Sequence, residues 1–391
     1  MAFSQQDEHF MRQALELARR GTGLTSPGAR VGAVIVDSYG NLAGSGFYTF
    51  DGIKHAEILA LEQAGSRARG STIYLNLEPH CHQGRTPPCT DALIAAGMAR
   101  VVAAMDDPNP KVAGKGFAQL CAAGIKVETG LLEAEARRIN EAFARYILTR
   151  LPLVTLKSGM TLDGKIAGPH GGSVNAPIAA DRWITSEESR AHAQSLRHES
   201  DAILVGAGTI IADDPLLTDR TGLPRRRPLL RVVLDSRLRC PLDSQLVATA
   251  HDDVLIFCSF AEEKKRQALE TRGVRVEQIP LRSNSVANDG RPDLGLIVAR
   301  LGELEITSLL IEGGALVNWA ALAADVADKV FLYYAPKILA GSGSVPFASG
   351  EGFSRISDAA QIKDTVLHRF AGDFAVEGYL RDPYAPPEVH A

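Results

Sequence analysis

Cysteine is scarce and odd in number, with five in 391 residues. That argues against a disulfide framework and for a reducing compartment. Long apolar runs are also missing, and nothing approaches the roughly 20 residues of a membrane span. The start, MAFSQQDEHFMRQ, is acidic and amphipathic. It lacks the charged-then-apolar plan of a signal peptide. No basic block occurs, and the formal net charge is −4. A nucleic-acid backbone or an anionic membrane is therefore not the expected partner. These absences describe a soluble, cytoplasmic protein. What is present is ample core material, 45% hydrophobic residues, on a chain long enough for two domains.

Apolar periodicity predicts helices over 7–20, 55–65, 90–97, 117–124 and 133–148. Strand-like runs fall at 31–37, 71–79, 100–107 and 125–130. This alternation predicts a layered α/β domain over 1–148. A new strand begins after Pro152 and opens a second domain over 149–385. There, strands are expected at 149–159, 201–209, 229–236, 253–260, 308–314 and 329–339. Helices are expected at 186–198, 261–272 and 315–324, and a polar surface loop at 282–293. Cys121, Cys240 and Cys258 sit in apolar or unpartnered contexts and read as small buried residues.

The chemistry concentrates in two stretches. His55-Ala56-Glu57 opens one helix, and LEPHCHQGRTPPC (77–89) ends at the start of another. Catalytic zinc takes three protein ligands and leaves one position for water, while a nearby carboxylate that is not a ligand moves protons. The pattern matches the zinc deaminase signature, H-x-E followed by P-C-x-x-C. It departs in having His80 where a cysteine is expected, with Cys81 next to it, and in a closing Cys89 nine residues on. On the residues alone, either His80 or Cys81 is the second ligand.

HAE…LEPHCHQGRTPPCTDAL resembles the deaminase domain of the bifunctional riboflavin-biosynthesis deaminase/reductase family. The resemblance implies zinc held by His55, His80 and Cys89, with Glu57 as the proton shuttle. Gly28 stands where the family carries an asparagine expected to contact the pyrimidine, and Tyr48 stands where a histidine is frequent.

In the second half, Gly206 and Gly208 form a Gly-x-Gly turn after a strand, and Gly313-Gly314 forms another before a helix. Either could let backbone N–H groups approach a phosphate. Neither carries the third glycine of a dinucleotide fingerprint. LKSGMTLDGKIA, WITS, LRHESDAILVGAGTIIADDPLLTDR and IEGGALVNWAAL are similar to the reductase domain of the same family. That likeness implies NADPH at Gly159, Trp183, Thr209, Asp213, Ser236 and the run Gly314, Ala315, Leu316, Val317, Asn318, Trp319 and Ala320. It implies substrate at Arg197, Leu217, Arg220 and Glu312, the arginines taking a sugar phosphate. The segment 168–182 is longer than the family pattern; it includes His170, and it places Asp181 where a substrate-binding serine is expected.

The resemblance thus implies a cytidine-deaminase-like three-layer domain followed by a dihydrofolate-reductase-like α/β domain. It implies zinc-dependent deamination of a phosphorylated diaminopyrimidine, then NADPH-dependent reduction of its ribosyl group, in a homo-oligomer. The rival readings are a reductase scaffolded by a degenerate deaminase, a non-catalytic nucleotide-binding module, and a deaminase of free nucleosides or tRNA bases. The charge opposes tRNA.

Overall fold

A computed structural model describes residues 3–169, 183–281 and 290–386. His170, Asp181 and the 282–289 part of the expected loop lie outside the described residues. Among the described residues no helix is long and apolar enough to cross a membrane. The chain forms two compact units: Met1–Thr149 with Pro224–Arg227 and Tyr384–Ala391, and Arg150–Leu223 with Pro228–Pro383. The second unit is therefore not continuous over 149–385. Arg226 donates its N–H to the Gly23 carbonyl at 2.8 Å, and the Tyr384 hydroxyl donates to the Arg137 carbonyl at 2.9 Å.

The first unit runs α1 (Gln5–Arg19), β1 (Gly32–Val36), β2 (Leu42–Phe47), α2 (Ala56–Ala64), β3 (Thr72–Leu75), α3 (Cys89–Ala95), β4 (Arg100–Ala103), α4 (Lys115–Ala122), β5 (Lys126–Thr129) and α5 (Glu133–Thr149). Its sheet has the order β2-β1-β3-β4-β5. β1 is antiparallel to both neighbours, and β3, β4 and β5 are parallel. Side chains alternate between the faces of the sheet. Ala33, Ile35, Ile73 and Val101 pack with Leu93 and Leu120 on one face. Val34, Tyr74 and Val102 pack with Met11, Leu15 and Ile139 on the other. The result is a helix–sheet–helix sandwich.

Strand β2 has no counterpart in the sequence prediction, since the glycines of LAGSGF weaken a strand pattern. Those glycines make room for α2. A Cβ at Gly44 would strike the Ala60 carbonyl, and one at Gly46 would lie 2.6 Å from the Leu59 Cβ. The strand expected over 71–79 stops at Leu75. Asn76 leaves the sheet there, accepting the Gly32 N–H and donating to the Arg30 carbonyl, both at 2.8 Å. Residues 76–88 are thereby freed to form the loop that carries His80. Cys121 is exposed rather than buried: it follows the inward-facing Leu120 on α4, where the next residue turns outward.

The second unit runs β6 (Leu153–Thr161), β7 (Lys165–Ala167), α6 (Glu187–Glu199), β8 (Ala202–Gly206), α7 (Ala207–Asp213), β9 (Leu230–Leu234), α8 (Gln245–Ala248), β10 (Val254–Cys258), α9 (Glu263–Glu270), β11 (Val274–Gln278), α10 (Leu294–Glu303), β12 (Ser308–Ile311), α11 (Ala315–Ala323), β13 (Lys329–Ala335), β14 (Val345–Pro346), β15 (Lys363–Phe370) and β16 (Asp373–Tyr379). Nine strands form one sheet in the order β11-β10-β9-β8-β12-β6-β13-β16-β15. From β11 to β13 all neighbours are parallel, and β16 and β15 close the edge antiparallel. Leu204, Val232 and Leu255 point to one apolar layer, and Ile203, Val233 and Ile256 to the other. In such sheets ligands bind beyond the carboxyl ends of the strands. In this sheet β8, β12 and β6 are neighbours at its centre.

Candidate active sites

Two helix starts and one loop build the site of the first unit. His55 is the N-cap of α2, in extended backbone, and its side chain makes no capping bond. Glu57 follows in the first turn, and Cys89 begins α3. One ligand atom from each of His55, His80 and Cys89 lies within 4.8 Å of the others. Cys89 Sγ is 3.4 Å from His55 Nδ1, and the Thr86 hydroxyl is 3.2 Å from His55 Nε2. The His55 and His80 rings stand 4.5 Å apart.

Burial, helped by the neighbouring His80 and Arg85 charges, lowers His55 to about 4. Burial also lowers His80. Both imidazoles are then neutral near pH 7 and carry a free lone pair. Burial raises the Glu57 carboxyl and the Cys89 thiol beside it. Among the described residues, Glu57 Oε2 and both His80 ring nitrogens are buried without a hydrogen-bond partner. Such orphans are rare and costly unless a ligand satisfies them. A divalent cation fits. The two imidazoles and a deprotonated Cys89 supply two nitrogens and one sulfur, the donor chemistry of catalytic zinc. Glu57 keeps a carboxylate oxygen free.

Cys81, the rival ligand, is outside that donor group. Burial raises its thiol, and the charges near it are Glu78, Lys115 and Asp107. Glu78 anchors the start of this loop. Its carboxylate accepts backbone N–H groups from Asp107 at 3.1 Å, Gly114 at 2.9 Å and Phe117 at 3.2 Å. The loop is pinned there, and the consecutive His80 and Cys81 side chains face different surroundings. Gly28 and Tyr48, separate departures in the sequence, share one volume in space. A Cβ at Gly28 would lie 3.2 Å from Tyr48 Cε1, and the Tyr48 ring stands edge-on to His55 at 5.1 Å.

In the second unit the two glycine turns divide their roles. Cβ atoms at Gly206 and Gly313 would lie 2.9 Å from Val317 Cγ2 and 2.6 Å from Val317 Cβ. These glycines let α11 approach the strands, so Gly206 has a packing role. Gly208 and Gly314 face open space. Gly314 is the extended N-cap of α11, which has nine residues, and no side chain caps it. Amide donors at such an uncapped start suit an anion such as a dinucleotide's pyrophosphate, and the segment fits NADPH.

The other residues expected at the cofactor are more spread. A Cβ at Gly159, on β6, would lie 3.2 Å from Thr185 Cγ2. Thr209 and Asp213 lie on α7, and Ser236 follows β9. Trp183 is exposed, with the Arg190 guanidinium 4.9 Å from its ring. On α11, Ala315 is buried and Leu316 exposed. Asn318 donates to the Phe347 carbonyl at 2.7 Å, and Trp319 meets Phe353 edge-on at 5.3 Å.

Glu312, just past β12, centres an ion cluster. Arg197 reaches it through Nε at 2.7 Å and Nη2 at 3.0 Å, and Lys157 Nζ is 3.3 Å away. Burial alone would raise the Glu312 carboxyl, but Lys157 and Arg197 outweigh it and hold it at about 2. Arg197 also donates Nη1 to the Thr218 carbonyl at 3.0 Å. Arg197 is thus engaged with the protein itself, and the exposed Arg220 is the guanidinium this loop presents outward. Leu217 is buried in left-handed backbone (φ 55°), unusual for a residue with a side chain. Lys157 is absent from the sequence-stated site. Its signal is a lysine between the buried Leu156 and Ser158 on a central strand.

Known proteins resemble this chain over both units. The cytidine and deoxycytidylate deaminase zinc-binding region matches residues 4–105, and the RibD C-terminal domain matches 152–376. The riboflavin biosynthesis protein RibD of Escherichia coli (strain K12) is 40% identical over 369 residues, covering 92% of this chain and 95% of that protein. The Aquifex aeolicus protein of the same name is 38% identical over 370 residues, covering 95% and 97%. The solved structure of Acinetobacter baumannii RibD is 34% identical, with a TM-score of 0.79 over 96% of this chain and 99% of that one. A deaminase/reductase from Thermotoga maritima is 33% identical, with a TM-score of 0.78 over 96% and 98%. The first unit is cytidine-deaminase-like and the second dihydrofolate-reductase-like. The chain belongs to the RibD family of bifunctional riboflavin-biosynthesis enzymes, in which a zinc-dependent deaminase is joined to an NADPH-dependent reductase.

Proposed function

We propose that the first unit deaminates 2,5-diamino-6-(5-phosphoribosylamino)pyrimidin-4(3H)-one and that the second reduces the ribosyl group of the product to ribityl. His55, His80 and Cys89 hold the metal, whose contribution when bound is to make water nucleophilic at neutral pH. Glu57 does the proton work. Its Oε2 has no other partner, and burial raises its proton affinity. It takes a proton from the attacking water and returns it to the amino nitrogen, which leaves as ammonia. Tyr48 and His55, ring against ring, form one wall of the pocket.

In the second unit NADPH, when bound, supplies hydride to C1′ of the ring-opened ribose. Gly314 and the start of α11, with Gly159, Trp183, Thr209, Asp213 and Ser236, seat the cofactor. Glu312 stays anionic at neutral pH because Lys157 and Arg197 hold it so. It therefore accepts hydrogen bonds from sugar hydroxyls and does not act as an acid. Leu217 and Arg220 lie on the loop that Arg197 anchors, with Arg220 meeting the phosphate. We further propose a cytoplasmic homo-oligomer, a reading that rests on the family likeness.

The observation that carries the deaminase reading is the convergence of three donor atoms with the unpartnered Glu57 Oε2 and His80 ring nitrogens. It opposes a front unit kept only as a scaffold. Glu57→Gln should cut ammonia release by about 10²–10⁴-fold while NADPH-dependent reduction of the deaminated substrate continues. Loss of both activities would contradict two independent sites.

A further inference from the structure

We infer that Arg226, which lies in sequence within the reductase half, is a positioning residue of the deaminase site. The inference rests on the assignment of that site to His55, Glu57, His80 and Cys89. The segment Pro224–Arg227 belongs to the first unit. Arg226 donates its N–H to the Gly23 carbonyl at 2.8 Å, Nη1 to the Ser26 carbonyl at 2.9 Å and Nε to Asp51 Oδ1 at 3.0 Å. Its guanidinium lies 3.8 Å from the centroid of the Phe50 ring. Arg227 adds a bond from Nη2 to the Ser26 hydroxyl at 2.8 Å.

These partners belong to two loops that wall the metal centre. The first leads to Gly28, which abuts Tyr48. The second carries Tyr48 itself, whose ring stands 5.1 Å from that of His55. Arg85, on the loop between His80 and Cys89, rests on the same Phe50 ring at 4.0 Å. Arg226 therefore ties the two walls together and fixes the platform under Arg85. An exposed pair such as Arg226–Asp51 contributes little to stability. What the arrangement provides is geometry, and a cationic rim suited to a phosphorylated substrate.

The test uses full-length, zinc-loaded enzyme carrying Arg226→Ala or Arg226→Lys. KM and kcat are measured for ammonia release from the diaminopyrimidine phosphate. Reduction kinetics, zinc content and thermal unfolding are followed alongside. For Arg226→Ala the deaminase KM should rise about tenfold while kcat stays within about twofold. Reduction, zinc content and unfolding temperature should not change. Arg226→Lys should recover most of the loss, because its ammonium still reaches Asp51 and Phe50. A KM within about twofold of wild type would overturn the inference. So would a parallel loss of zinc or of reduction, which would make Arg226 merely structural. Wild-type enzyme that releases no ammonia would remove the site assignment, and the inference with it.

Discussion

Replacing Thr86 with valine should weaken zinc binding although Thr86 is not a ligand. The Thr86 hydroxyl is 3.2 Å from His55 Nε2, and Cys89 Sγ is 3.4 Å from His55 Nδ1. Nδ1 is the nitrogen that faces the other donors, so it must keep its lone pair. Nε2 then carries the proton and donates it to Thr86. Metal-binding histidines are commonly oriented by such an outer acceptor. Valine keeps the shape of threonine and removes the oxygen. A half-buried N–H then loses its acceptor, at a cost of about 1–3 kcal/mol. Independently, losing an outer-shell partner lowers metal affinity by about 10–100-fold. That range equals about 1.4–2.7 kcal/mol. The two routes agree, so the expected fall is about one to two decades. Competition between the full-length protein and a chromogenic chelator reads it directly, with Thr86→Ser as the control that retains the acceptor. An affinity within about twofold of wild type for the valine variant would refute the tautomer argument. So would a serine variant as weak as the valine one.

Glu57→Gln should lower the rate of ammonia release by about 10²–10⁴-fold while the zinc content of the purified protein stays unchanged. The Glu312 cluster should show in acid. Its folded value of about 2 lies below the ordinary 4.5, so its stabilisation is complete above about 4.5 and fades as pH falls toward about 2. Thermal unfolding of the reductase unit across that window should show the loss in wild type and not in Glu312→Gln. Gly313→Ala should destabilise that unit by about 1–3 kcal/mol through its collision with Val317, whereas Gly314→Ala, in open space, should cost far less. Calorimetry of the two variants separates them, and equal shifts would contradict the packing role given to Gly313.

The alternation of strands and helices was legible because buried strands such as VGAVIV and helices such as α5 carry strong apolar periods. What escaped was structure whose reason lies elsewhere in the chain. Strand β2 looks like a loop until Gly44 and Gly46 are seen beneath α2. Strands β15 and β16, at the sheet edge, and β11 and α10 had no distinct pattern in the sequence prediction. The choice between His80 and Cys81 could not be made by spacing, since neighbouring residues fit equally well. In the fold it is His80, and not Cys81, whose ligand atom lies within 4.8 Å of those of His55 and Cys89. Gly28 and Tyr48 are 20 positions apart in sequence but occupy one volume. Lys157 needed Glu312, 155 residues away, to show its role, and Arg226 needed Asp51, 175 residues away. Motifs made of neighbouring residues announced the chemistry, and long-range contacts supplied the geometry.

The central claim is that the first unit is a working zinc site with histidine in place of a cysteine. Ammonia release from the diaminopyrimidine phosphate, without NADPH, tests it in wild type and His80→Ala, with zinc measured in both. The account predicts release by wild type and a sharp fall, with loss of zinc, in the variant. Unchanged release and zinc in His80→Ala, or no release by wild type while NADPH-dependent reduction proceeds, would contradict it.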